Sequence, residues 1–214
     1  MTEMPLAMLN MEIPEMIRRG GYTMIPLLGA SVLLVAIVIE RLISLRRSRV
    51  LPDRIVRLIE EANSSATLDN LRSEAAELNA PIARIICTGF ANSDCSRTDL
   101  EEAVTHAGKE AARRLEAGLI VLDTIAVACP LLGLLGTLLG MMDVFNGIQA
   151  GAAFTPEAGA GIAKALVTTI VGLIIAIPSL AFYNYLVRRV EELVLLLERQ
   201  AGIFVAKISP SEDH

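Results

Sequence analysis

Thr124-Ile-Ala-Val-Ala-Cys-Pro-Leu-Leu-Gly-Leu-Leu-Gly-Thr-Leu-Leu-Gly-Met-Met142 is a run of 19 residues without a charge. Two more runs share that property: Tyr22–Ile39 with 18 residues and Ala165–Val187 with 23. Each comes close to or exceeds the ~20 apolar residues that carry a helix across a ~30 Å hydrocarbon core. A single-core soluble protein of 214 residues needs at most one such buried helix, so that class is excluded. The remaining composition agrees, with 53% hydrophobic residues, 20% charged and a mean hydropathy of +0.54. Nucleic-acid binding has no support, because 19 basic against 24 acidic residues leave a net charge of −5. The chain reads as an all-α, polytopic membrane protein with three spanning helices.

Orientation follows from the cations beside the runs. Arg41, Arg46, Arg47 and Arg49 follow the first run, Lys109, Arg113 and Arg114 precede the second, and Arg188 and Arg189 follow the third. The connector between runs two and three is nearly uncharged, and Arg18 and Arg19 sit among Glu12 and Glu15. The Met1–Arg19 stretch is Met-rich with no basic leader pattern, so the first run is expected to stay in the membrane. The expected layout has an outer amphipathic segment at 1–20 and spanning helix one at 21–45. An inner helical segment follows at 46–115, then helix two with its lead-in at 116–146 and an outer loop at 147–161. Helix three covers 162–188, with an inner extension at 189–214. The N-terminus is then outside and the C-terminus inside.

Inside the 46–115 segment the punctuation predicts several helices. Ahead of the first run, by contrast, Pro14 to Arg19 is expected to lie along the outer interface and to stop at Gly20-Gly21. Pro52 opens a helix with Ile55, Leu58 and Ile59 on one face, closed by Asn63-Ser64-Ser65. Thr67 or Asp69 caps the next through Leu78, and Pro81 opens another through Phe90. Thr98-Asp99-Leu100-Glu101 reads as a capping box, from which one helix is expected to run to about Phe145. The third run continues past Arg188 through Val190, Leu193, Val194 and Leu197 as an amphipathic extension into the cytoplasm.

The residues able to carry function lie within the runs. Gly133, Thr137 and Gly140 share a face of the second helix with Pro130, a spacing that lets helices approach closely in lipid. On the third, Ala165, Thr168, Thr169, Gly172, Ala176, Ser179 and Tyr183 form a stripe of small and hydroxyl side chains. Two readings stay open: a plain packing seam, or a polar wall offering hydrogen bonds to water or to a guest side chain. Pro178 is expected to loosen the third helix. None of the runs contains Asp, Glu, His or Lys, so a proton crossing here needs a carboxylate borrowed from a partner. Glu40, Arg41 and Asp123 fall near the inner interface, where ion pairing or capping accounts for them. Cys87, Cys95 and Cys129 read as small side chains rather than disulfides or metal ligands, and His106 and His214 as solvated. No nucleophile–base pair, metal cluster or cofactor motif is present, so an enzyme has no support.

These motifs resemble the MotA/TolQ/ExbB proton-channel family, on its ExbB side. The resemblance rests on Gly20-Gly21 with Glu40-Arg41-Leu42, and on Thr124-Ile-Ala followed by Pro130-Leu-Leu-Gly-Leu-Leu-Gly-Thr137. It rests as well on Gly161-Ile-Ala-Lys-Ala-Leu-Val-Thr-Thr169, Gly172-Leu, Ala176-Ile-Pro178 and Tyr183-Asn184. It implies a homopentameric ring in the bacterial inner membrane, with helices two and three lining a pore at Thr137 and Thr169. Within it would sit the single spanning helices of an ExbD- or TolR-like partner whose aspartate carries protons. A TonB-like transducer would then pass the motion to outer-membrane receptors. A TolQ-like stator and a non-conducting helical scaffold remain the alternatives. The resemblance departs at Lys164, at the pore mouth, where many relatives carry Glu.

Overall fold

The computed structural model describes residues 23–62, 64–149 and 156–209. The expectations for the 1–20 segment with Pro14, for Gly20-Gly21, Asn63 and His214, and for positions 150–155 of the 147–161 loop lie outside the described residues. Every regular element among them is helical. Helices α1 (Met24–Ser44), α2 (Arg47–Val50), α3 (Asp53–Glu61) and α4 (Ser65–Glu77) come first. They are followed by α5 (Pro81–Ala91), α6 (Arg97–Glu116), α7 (Leu119–Gln149) and α8 (Pro156–Ile208). Three of them, α1, α7 and α8, contain stretches long and apolar enough to cross a membrane.

The chain divides into two compact units, the first made of Met1–Val38 and Ile120–Tyr183. Its outward face is apolar: Val32 on α1 is 72% exposed, Leu131 on α7 60% and Ile177 on α8 68%. In water such a surface would be a liability; in hydrocarbon it matches the solvent. Pro130 and Pro178 both lie inside continuous helices. Each removes one backbone donor, a loss that neighbouring helices can make good.

The second unit, Ile39–Leu119 with Asn184–His214, follows ordinary soluble rules. Its core gathers Ile55 and Ile59 from α3, Leu71 from α4, Ile82, Ile85 and Ile86 from α5, Leu100 from α6, and Leu193, Leu197 and Phe204 from α8. The Phe204 ring meets Phe90 edge-on at 5.1 Å between centroids and 70° between planes. Gly89 makes that approach possible, because a methyl group there would run into the Phe204 ring. The Cys87 thiol is pushed up from its ordinary range by burial, an effect partly offset by the nearby Arg72 guanidinium.

Three local expectations are corrected. The cap of α6 is Ser96 rather than Thr98: its hydroxyl oxygen accepts from the Asp99 N–H at 3.2 Å and donates to Asp99 Oδ2 at 2.7 Å. The cap therefore lies two residues earlier than the Thr98–Glu101 reading and is made through the Ser96 hydroxyl. Ser64 opens α4 by accepting from the Thr67 N–H, rather than Thr67 or Asp69 capping it. The third correction is larger. The helix expected from Thr98 to about Phe145 is divided at Ala117-Gly118, where Gly118 takes φ +81°. That left-handed residue ends α6, and only glycine adopts it without a steric cost. The Arg41 guanidinium lies flat on it, with Nε 2.9 Å from the place a Cβ would occupy. A cation at the carboxyl end of α6 complements the partial charge of its last carbonyls.

Gly118→Ala is expected to lower stability by about 2 kcal/mol, from left-handed strain together with displacement of Arg41. Thermal unfolding of the detergent-purified chain measures it. The double variant Gly118→Ala/Arg41→Ala should then cost less than the sum of the two single changes.

Candidate functional site

The first unit holds the residues singled out on α7 and α8, and most of them meet each other. A Cβ on Gly133 would lie 2.9 Å from Thr169 Cα and 3.0 Å from the Thr168 carbonyl oxygen. On the facing helix, a Cβ on Gly172 would fall 2.5 Å from the Cys129 carbonyl oxygen. Backbone touches backbone at both points, so the two glycines are what let α7 and α8 come together. Further along the seam, Gly136 faces the Thr168 methyl and Thr23 Oγ1, and Gly140 faces Ala165 Cβ, each at 2.7 Å from its virtual Cβ. Gly161 faces Val144 in the same way.

Hydroxyls fasten this seam. Thr169 Oγ1 donates to the Gly133 carbonyl at 3.0 Å. Ser179 Oγ donates to the Leu122 carbonyl at 2.7 Å, fully buried. Burial then divides the set. Gly133, Thr168, Gly172, Ala176 and Ser179 are buried, whereas Thr137, Gly140 and Thr169 remain half-open. Thr137 Oγ1 donates to the Leu134 carbonyl of its own helix at 2.6 Å.

The chemistry of the half-open hydroxyls follows from that bonding. A threonine hydroxyl has one proton to give and two lone pairs to offer. Both Thr137 and Thr169 give their proton to a backbone carbonyl, so what remains for a visitor is acceptor capacity. Such a wall takes a hydrogen bond from water or from a protonated carboxylic acid. It has nothing to donate to a carboxylate, so it favours the neutral form of an acid beside it.

The remaining residues lie away from the seam. Arg41 Nε stands 3.1 Å from Glu40 Oε2, an ion-pair distance without hydrogen-bond geometry. Asp123 is exposed on α7. The side chain of Lys164 lies outside the described residues. Sequence reasoning missed Gly161, Gly136 and the Cys129 carbonyl as members of the seam. Gly161 continues the three-and-four spacing back from Ala165 and was legible; the carbonyl partners were not, since a sequence carries no record of backbone acceptors. Asp143, the first residue beyond the 19-residue run, is exposed near the end of α7. Among the described residues no three His, Cys, Asp or Glu side chains are placed to hold a metal ion.

Gly172→Val is expected to part α7 from α8, because the displaced neighbour is backbone. Loss of a disulfide engineered across the helix pair, under oxidant, reads this out. Thr169→Val, which removes one hydroxyl bond and keeps the shape, should cost about 0.6 kcal/mol, near the average for such bonds in membranes.

The profile of the MotA/TolQ/ExbB proton channel family matches residues 77–199. That range takes in α5, α6, the whole α7–α8 seam and much of the α8 extension. A biopolymer transport protein named ExbB-like 3 from Synechocystis is 32% identical over 191 residues, covering 86% of this chain and 89% of its own. The biopolymer transport protein exbB1 of Vibrio cholerae is 32% identical over 161 residues, 73% of this chain and 71% of its own. The ExbB protein of Aquifex aeolicus reaches 44% identity over 84 residues, 39% of this chain and 57% of its own. With its three apolar helices and the family's profile matched across the seam, the chain belongs to the MotA/TolQ/ExbB proton channel family, among its ExbB-like biopolymer transport proteins.

Proposed function

We propose that this chain is the ring-forming subunit of a stator driven by the proton-motive force in a bacterial inner membrane. Several copies, five by resemblance to the family, surround the spanning helices of an ExbD- or TolR-like partner. In each copy the N-terminus is periplasmic and the segment 46–115 and the C-terminus are cytoplasmic. Proton flow turns or shifts the partner, and a TonB-like transducer relays the work to receptors in the outer membrane. The chain acts by holding and positioning a guest helix and has no enzymatic role in this reading.

The observation that carries the reading is the pair of half-open acceptor hydroxyls, Thr137 and Thr169, within the uncharged runs 124–142 and 165–187, which contain no Asp, Glu, His or Lys. A guest aspartate would be most at ease beside them when protonated, and would have to leave them or meet water to ionise. Loading at one leaflet and release at the other then become coupled to position. Lys164, near the outer end of α8, would sit at the pore mouth. A fixed cation there would repel protons unless its long stem carries the ammonium outward. Glu40, Arg41 and Asp123 belong to the inner interface and take no part in the path.

A second reading, a helical scaffold with no ion path, draws on a different observation. Gly133, Thr168, Gly172 and Ser179 already serve to pack α7 against α8, and Ala176 is buried with them. The pore reading therefore stands on Thr137 and Thr169. The double variant Thr137→Val/Thr169→Val, with ring assembly checked by native mass spectrometry, should reduce receptor-dependent uptake of an iron complex at least tenfold. Thr137→Ser/Thr169→Ser should restore it. Undiminished uptake by the valine variant would refute the pore assignment. Intact iron uptake in a gene deletion that turns detergent-sensitive would move the chain to a TolQ-like role.

A further inference from the structure

The segment that leaves the membrane after α1 holds a group of charges that the seam does not use and that the proposed function uses only for orientation. In Arg41-Leu-Ile-Ser-Leu-Arg-Arg-Ser-Arg-Val50, Arg46, Arg47 and Arg49 are all exposed. None makes an ion pair with a described residue, whereas Arg54 pairs with Glu74, Arg97 with Glu101 and Arg189 with Glu192. The chain as a whole is acidic, at −5, so this local excess runs against its overall sign.

The backbone beneath these arginines is fixed. Leu45, Val50 and Leu51 are buried at 3%, 1% and 2% exposure, anchoring both ends of the turn. The Leu45 N–H bonds to the Arg41 carbonyl, Arg49 N–H to that of Arg46, and Leu51 N–H to that of Arg47, at 2.7 to 2.9 Å. With the apolar side chains turned in, the three guanidinium groups are held outward at the end of a membrane helix. One turn back toward the membrane, Leu42 and Ile43 are each 41% exposed.

We propose that Arg46, Arg47 and Arg49 bind the phosphodiester headgroup of an anionic glycerophospholipid, with Leu42 and Ile43 lying along its acyl chains. A guanidinium fork meets two phosphate oxygens at once, which an ammonium cannot do. Arginine clusters directly beside a spanning helix attract anionic lipid through the summed charge near the membrane surface. Orientation in the membrane needs the positive charge alone; headgroup binding needs the fork as well. The inference rests on α1 spanning the bilayer and is independent of whether the chain conducts protons.

The test uses the full chain in detergent and follows its thermal midpoint during titration with phosphatidylglycerol, phosphatidylcholine or inorganic phosphate. Phosphatidylglycerol should raise the midpoint of the unaltered chain by several degrees, with phosphatidylcholine and inorganic phosphate ineffective at equal concentration. Arg46→Lys/Arg47→Lys/Arg49→Lys keeps the charge that sets topology and should need about tenfold more phosphatidylglycerol. Arg46→Gln/Arg47→Gln/Arg49→Gln should not respond at all. Equal protection by phosphatidylcholine would overturn the headgroup assignment, and equal protection by inorganic phosphate would overturn the lipid. A lysine variant as responsive as the unaltered chain would reduce the cluster to a topology signal. Should the glutamine variant fail to accumulate, the lysine variant and the three-ligand comparison decide alone.

Discussion

The contact between the backbones of α7 and α8 governs the membrane unit. Two helices in lipid gain nothing from hiding apolar surface, since the solvent is as apolar as they are. They stay together through close packing and a few hydrogen bonds. At Gly133 and Gly172 the space for a side chain is already filled by the opposing main chain. The hydroxyls of Thr169 and Ser179 then find carbonyls of α7 within reach. The glycines come first in this order of causes: without the close approach neither bond would form.

The second unit is built on the opposite physics. Its core of Ile, Leu and Phe is held by removal of apolar surface from water, and two of its helices, α4 and α6, begin at the side-chain caps Ser64 and Ser96. A single helix, α8, contributes residues to both units, and its sequence changes character to suit. Up to Tyr183 its inward face is small and hydroxylated; from Leu186 on it is Leu, Val and Phe with charges between. That switch reflects the solvent outside each stretch, since secondary structure is the same throughout.

Much of this was legible in the sequence. The three charge-free runs identified α1, α7 and the first part of α8, because hydrocarbon imposes a length that composition reveals directly. Pro52 and Pro81 marked the starts of α3 and α5 through their missing donor and fixed φ. The seam on α8 was readable as a three-and-four spacing of small residues. Three kinds of feature were not. Caps shifted, because Ser96 and Thr98 are chemically alike and the choice depends on backbone angles. The break at Gly118 was hidden, since a glycine flanked by good helix formers fits inside a helix as well as after one. Burial split the proposed wall in a way periodicity cannot. Thr168 and Thr169 are neighbours in sequence, yet one is closed inside the helix pair and the other is half-open.

The bonding of the two half-open threonines has a consequence for the proton path of the proposed function. A chain of hydroxyls can pass a proton hand to hand only when each group is free to turn and release its own. Thr137 and Thr169 are each fastened to a carbonyl, so both make poor links in a proton wire. A proton crossing beside them has to be ferried, on a titrating group or a water that itself moves. In the proposed stator, these bonds would suppress leakage through an empty wall, the one from Thr169 also tying α8 to α7, and charge would cross only when a carrier does.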